Sequence, residues 1–168
     1  MIHYRALIFI TCLLVFISSI TFAQKKKTLK EYDIKSITET ITNIENGKSY
    51  TTKESSITLD KNGNPIIEIK YNKDGSIKKK TITKYDEKKN KTEEIDYDGA
   101  GKIVSKQTYI YNSKGDRSID MEYDANNVLV KKEVYSYDNK GFKTEKKVYN
   151  GNTILLKTHK YTFEKNKE

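Results

Sequence analysis

The feature that most constrains this chain is an internal repeat of 26 residues. Residues 71–96, 97–122 and 123–148 align without a gap, and residues 149–168 supply a truncated fourth copy. The first column holds Tyr71, Tyr97, Tyr123 and Tyr149, the seventh Ile77, Ile103, Leu129 and Leu155, and the fifteenth Tyr85, Tyr111, Tyr137 and Phe163. The thirteenth column reads Thr83, Tyr109, Tyr135, Tyr161 and the twenty-first Lys91, Arg117, Lys143, so the two halves of a copy are distinct. A period of this length belongs to architectures in which each unit is stabilised by its neighbours.

Carried backwards, the frame sets LDKNG (59–63) where later copies have YNSKG and YDNKG, and ENG (45–47) at the other turn. A degenerate copy therefore runs over 45–70. The expected organisation is a lead-in and first strand over 24–44, with QKKKTLK (24–30) as a solvated segment, then a repeat domain over 45–168.

Each repeated Tyr is followed by a turn-like tetrapeptide, such as Asn72 to Gly75, Asp98 to Gly101, Asn112 to Gly115 and Asp138 to Gly141. Asp or Asn caps a type I turn with its side chain, and a closing Gly accepts positive φ. Between turns lie runs rich in Ile, Val, Thr and Tyr, which favour strands. Turns alternate 14 and 12 residues apart, so each copy is one long and one short strand of an antiparallel meander. Pro65 falls at the start of a strand, where proline is tolerated.

No apolar period near 3.6 persists, which leaves little room for helix. The expected fold is all-β: tandem hairpins in a single twisted sheet, an open barrel or a solenoid. In the long strands neither parity is cleanly apolar, as Ile103, Ser105, Gln107, Tyr109, Tyr111 against Val104, Lys106, Thr108, Ile110 illustrates. Register, and with it the face carrying the tyrosines, depends on the turn type. The apolar last strand, residues 153–163, is expected at an edge that offers pairing to a partner.

The chain opens with Arg5, a fifteen-residue apolar run from Ala6 to Ile20, and the small-residue exit Thr21-Phe22-Ala23. This reads as a signal peptide over 1–23, since a bilayer span needs roughly 20 apolar residues. The expectation is a secreted or periplasmic protein with no transmembrane span after cleavage. Cys12 lies inside the run, so residues 24–168 contain no thiol for a disulfide, metal or nucleophile.

The formal net charge is +9, and beyond the leader Arg117 is the only arginine among thirty lysines. Lysine is a mobile point charge and lacks the planar fork that reads phosphate and guanine. Specific nucleic-acid recognition is not expected. Attraction to anionic surfaces is.

A catalytic set does not emerge. Without a thiol, and with His159 the sole histidine after the leader, a nucleophile and base are not available. Glu93, Glu94, Asp96, Asp120 and Glu122 sit among lysines and do not recur as a pair, which reads as solvated strand faces with cross-strand partners. Oxygen ligands cluster in DKNGN (60–64) and NKDG (72–75), but Gly63 precedes Asn64, out of the calcium-loop spacing, and turn chemistry accounts for them. No catalytic residue, metal or cofactor is expected. If a ligand site exists, its residues are Tyr109, Tyr111, Tyr135 and Tyr137, whose rings would stack on sugars or meet a protein.

The pattern Tyr-x-Tyr-Asn/Asp-x-x-Gly, in YIYNSKG (109–115) and YSYDNKG (135–141), resembles the YD repeat of RHS-type proteins over about residues 59–163. That resemblance implies an exported β-repeat protein, some relatives binding carbohydrate and others wrapping toxin domains in a shell. Gly-Arg-Leu after the turn is missing, the spacing is tighter, and the chain is too short to close a shell. A weaker likeness links it to MORN-type hairpin repeats, including short antitoxin-like proteins, without their Trp and Gly-x-x-x-Gly positions.

The functional expectation is a non-enzymatic, exported binding or scaffold module whose partner is a protein, a polysaccharide or an anionic envelope surface. The alternatives are a small immunity protein that binds a toxin, and an envelope hydrolase built on carboxylates.

Overall fold

A computed structural model of the chain describes residues 26–166. The signal-peptide expectation over 1–23 lies outside the described residues. Ten strands follow one another in a single sheet: β1 (Ser36–Glu45), β2 (Lys48–Leu59), β3 (Pro65–Tyr71), β4 (Ile77–Tyr85), β5 (Lys91–Asp98), β6 (Ile103–Tyr111), β7 (Arg117–Tyr123), β8 (Leu129–Tyr137), β9 (Lys143–Asn150) and β10 (Leu155–Lys160). Every neighbour is antiparallel, and β1 and β10 are the two ends of the order, so the sheet is an open meander rather than a closed barrel.

Eight of the nine connections share one geometry. The opening Asp or Asn N–H donates to the carbonyl four residues on, and the residue three on donates back, as Asn112 and Asp116, Gly115 and Asn112 do at 2.8 and 3.0 Å. The opening side chain holds the loop: Asp138 Oδ1 accepts from the N–H groups of Lys140 and Phe142, both at 2.9 Å. This is a type I turn closed by a left-handed residue and a bulge, the usual three-residue hairpin loop. Glycine closes five of the eight, while Lys89, Asn127 and Thr153 adopt φ of 67°, 61° and 62° themselves. The β1–β2 turn differs: Asn46 and Gly47 are both left-handed, the two-residue form of an Asn-Gly hairpin.

The turn type shared from β2 onward fixes the register that the sequence left open. Tyr109 and Tyr111 alternate onto the face that also carries Asp120 and Glu133, because Tyr109 pairs with Asp120 and Asp120 with Glu133. Tyr97 and Tyr123 lie on the opposite face, where Tyr97 pairs with Lys80 and Tyr123 with Lys106. That face also carries the aliphatic rows Ile67–Ile82–Ile95 and Ile110–Ile119–Val134. Cross-strand pairs of this kind each contribute about 0.2 to 1 kcal/mol.

A single layer leaves little interior. Among the described residues the buried apolar side chains are Leu59 and Tyr109. Leu59 is covered by an element the sequence did not suggest: residues 26–31, expected as a solvated segment, form a short helix, α1. Six residues are too few to hold a helix alone. It is held by packing, with Leu29 lining the same recess as Ile37, Ile57, Leu59 and Pro65. At the β2–β3 turn a Cβ on Gly63 would stand 3.0 Å from the Lys26 carbonyl oxygen. Asn64 beneath it is 1% exposed, its amide bonded to Asp60 at 2.8 Å.

At the other end β10 is six residues, shorter than the expected 153–163, and exposed throughout. Beyond it the Tyr161 N–H donates to the Thr144 carbonyl at 3.0 Å and the Phe163 ring meets Phe142 at 4.9 Å.

Candidate functional site

The four tyrosines singled out in the sequence divide into two kinds. Tyr111 and Tyr137 end long strands, and their hydroxyls donate to the Lys91 and Arg117 carbonyls at 2.8 and 2.7 Å. Tyr85 does the same to Pro65 at 3.0 Å. Each staple ties a long strand's end to the first residue of the short strand before it. These hydroxyls are folding groups, each contributing about 1 kcal/mol. The fourth column member, Phe163, has no hydroxyl and stacks on Phe142 instead.

Tyr109 and Tyr135 belong to a charged cluster. The Arg117 guanidinium lies 4.1 Å from the Tyr109 ring centre and the Lys143 ammonium 4.4 Å from that of Tyr135. Each cation comes from the residue eight positions on, across the turn, which is why the thirteenth and twenty-first columns meet. The Tyr109 hydroxyl donates to Gln107 Oε1 at 2.7 Å. The Tyr135 hydroxyl stands 2.7 Å from Glu133 Oε2 and 2.9 Å from Asp120 Oδ2, bridging two carboxylates with one proton. Arg117 Nη1 reaches the same Asp120 oxygen at 3.3 Å, and Lys131 and Lys146 reach Glu133 Oε1 at 3.1 and 3.4 Å.

The electrostatics follow from these contacts. Burial alone would raise the Glu133 carboxyl, but the Tyr135 hydroxyl, Lys131 and Lys146 outweigh it and hold the pKa at about 2. Burial pushes the Tyr109 phenol up to about 12, with Glu94 adding to the effect and Arg117 opposing it. Burial and the two carboxylates push Tyr135 well above the ordinary phenol range. A proton donor or acceptor working near neutrality needs the reverse, a pKa drawn towards 7.

Two recesses adjoin the cluster. One, of about 150 Å³, is bounded by Gln107, Asp120, Glu122, Lys131 and Glu133. It is below the roughly 300 Å³ at which small-molecule sites begin. The other is an open groove of about 480 Å³ between the turns after β4 and β6, walled by Asp86, Asn90, Thr92, Tyr109, Tyr111 and Asn112. Tyr109 and Tyr111 thus share a groove, whereas Tyr135 and Tyr137 do not line it.

Three of the other carboxylates named in the sequence are ion-paired, while Glu122 is not. Asp96 meets Lys79 at 2.9 Å, Glu93 meets Lys84 at 2.6 Å, and Glu94 pairs with Lys91. Asp60 Oδ1 accepts two backbone N–H groups and its Oδ2 the Asn64 amide. His159 is exposed on β10 opposite Lys146. Sequence reasoning missed Arg117, Gln107 and Glu133 as members of the cluster. The available signal was the co-occurrence of tyrosine and a cation eight residues apart in copies two and three.

No protein-family model and no curated protein matches the chain. Among solved structures it is similar to a porin-like protein from Bacteroides uniformis ATCC 8492, with TM-score 0.38 and 12% identity over 77% of this chain and 45% of that one. It also overlays on TarM, with TM-score 0.32 and 20% identity over 80% of this chain and 23% of that one. A GtfA/B complex bound to UDP and GlcNAc gives TM-score 0.28 and 16% identity over 64% and 22%. The chain spans less than half of each of these proteins.

Proposed function

We propose that this chain is an exported, non-catalytic β-repeat module that binds or scaffolds a partner at the cell envelope or outside the cell. The kinship with YD repeats is then one of architecture, a hairpin reused as a presentation surface. The observation that carries the reading is mutual occupation: the side chains best equipped for chemistry, Arg117, Asp120, Glu133 and Tyr135, are engaged with one another, Asp120 through its Oδ2 with Oδ1 left unpartnered. What remains free is surface, both faces of a single layer and the groove beside Tyr109 and Tyr111.

Retention of the purified chain on isolated envelope material at low and high salt tests this. Lysine-dominated contact is expected to weaken with salt, since exposed charges are screened beyond about 8 Å at physiological ionic strength. Hydrolysis of an envelope polymer that disappears in Asp120→Ala, with folding intact, would overturn the reading in favour of a carboxylate enzyme.

A further inference from the structure

The sheet has two rims. Turns after β3, β5, β7 and β9 make one, and each is followed by a β-bulge. The seventh-column residues Ile77, Ile103 and Leu129 each pair with the tyrosine before the turn, a structural role. The sixth-position residues before them close the turn through their backbone groups, while the eighth-position residues after them are skipped by the ladder. The sixth and eighth positions read Ser76 and Lys78, Lys102 and Val104, Val128 and Val130, Ile154 and Leu156. The eighth position is in each case the bulged residue, outside the Cα register of the ladder. A bulge re-aims its side chain out of the sheet.

Polar in the first copy, these positions become wholly aliphatic in the last two, and all of those aliphatics are exposed. Val104, Val128, Val130, Ile154 and Leu156 are 52, 57, 43, 59 and 59% accessible. Strands lie about 4.8 Å apart, so turns on one rim recur every ~9.6 Å and the protruding tips form a row that follows the twist of the sheet. Among the described residues nothing covers it. The sequence around it, residues 98–106, 124–132 and 150–157, holds five lysines against Asp98 and Asp124; Lys106 lies over the Tyr123 ring and Lys131 pairs with Glu133, which leaves Lys102, Lys132 and Lys157 to face outward contacts. Both aspartates have an oxygen engaged by turn N–H groups.

We propose that this rim docks the protein on an anionic lipid bilayer, a partner assignment that rests on the binding-module reading. Protruding aliphatic tips enter the headgroup and acyl boundary, and the lysines one residue layer behind meet lipid phosphates. Shallow apolar insertion with basic flanks is the chemistry of interfacial attachment. Each lysine at such a surface is worth about fivefold in partition. A line of separate tips is suited to a deformable surface, whereas a protein partner would need a complementary groove along its full length.

The test uses the full chain with Cys12→Ser and a nitroxide on a single introduced cysteine, Leu156→Cys on this rim or Ser113→Cys on the other. Accessibility to a water-soluble nickel complex is read with phosphatidylcholine vesicles and with vesicles containing phosphatidylglycerol. Shielding of the label at 156 on anionic vesicles alone, with the label at 113 left in water, is expected. Adding Lys102→Glu and Lys132→Glu is expected to remove most of that shielding. Because the readout is local, attachment through the N-terminal apolar run leaves both labels equally accessible and overturns the proposal. So does equal shielding on neutral vesicles, or shielding without vesicles that grows with protein concentration, which would assign the row to a second copy. Loss of the lipid contact with salt-sensitive retention on envelope material intact would leave the binding-module reading standing.

Discussion

The two rims of the sheet are built from the same turn and do opposite things. On one, long strands end in Tyr85, Tyr111 and Tyr137, whose hydroxyls close onto backbone carbonyls of the neighbouring strand. On the other, turns are followed by bulged aliphatics that close onto nothing and reach solvent. A single-layer sheet has almost no interior to stabilise it, so local devices at strand ends carry an unusual share of the stability. The aliphatic rim is held by backbone packing, since a Cβ on Gly99 or Gly151 would stand 2.2 or 1.9 Å from the Ile77 or Leu129 carbonyl oxygen, and this leaves its bulged side chains to solvent.

The comparison can be broken from either side. The largest effect is expected on the stapled rim: Tyr111→Ala removes a half-buried ring and its hydrogen bond and lowers unfolding free energy by about 3 kcal/mol. Urea denaturation followed by circular dichroism reads this directly. On the opposite rim Thr153 is a β-branched residue at φ 62°, a strained conformation. Thr153→Gly is expected to raise stability by about 1 kcal/mol, and a lowered urea midpoint would show that the turn is not strained.

Between the rims, the charged cluster gives a pH signature. Glu133 has a folded pKa depressed to about 2 from an ordinary 4.5. A depressed carboxylate contributes stability above its unfolded pKa and loses it as pH falls through the folded one. The contribution is therefore complete above about 4.5 and is lost towards 2. After solvent screening it amounts to about 1 kcal/mol. The midpoint gap between the parent chain and Glu133→Gln is expected to narrow over that window, and a gap constant with pH would remove the cluster from the account. The smallest effect belongs to the aliphatic rim: Leu156→Ser should leave stability within about 0.5 kcal/mol, as for any exposed position.

Much of the fold was legible because its determinants are local. Asp or Asn opening a turn and Gly closing it act within five residues, so the meander, the position of Pro65 and the long–short alternation followed from spacing. Register was not legible, since it hinges on which loop follows each Tyr, and so the faces stayed unassigned until all eight turns proved to be of one type. Helix α1 escaped because only a tertiary contact, Leu29 beside Leu59, holds it. The cluster was half visible. Tyr109, Tyr135 and Asp120 were named, but Glu133 joins through Asp120, 13 positions away on the adjacent strand, and Arg117 through Tyr109, eight positions back across a turn, and such neighbours meet only once register is known. The rim gradient was in plain view as KIV, VLV and ILL at 102–104, 128–130 and 154–156, yet only exposure and the bulges give it meaning.

Two triple variants in urea show whether one rim holds the sheet while the other is free for a partner. Tyr85, Tyr111 and Tyr137 changed together to Phe should cost about 3 kcal/mol, three hydrogen bonds at about 1 kcal/mol each. Val104, Val130 and Leu156 changed together to Ser should move the midpoint hardly at all. Equal losses in the two variants would contradict the division, because the aliphatic rim would then be part of what holds the sheet together.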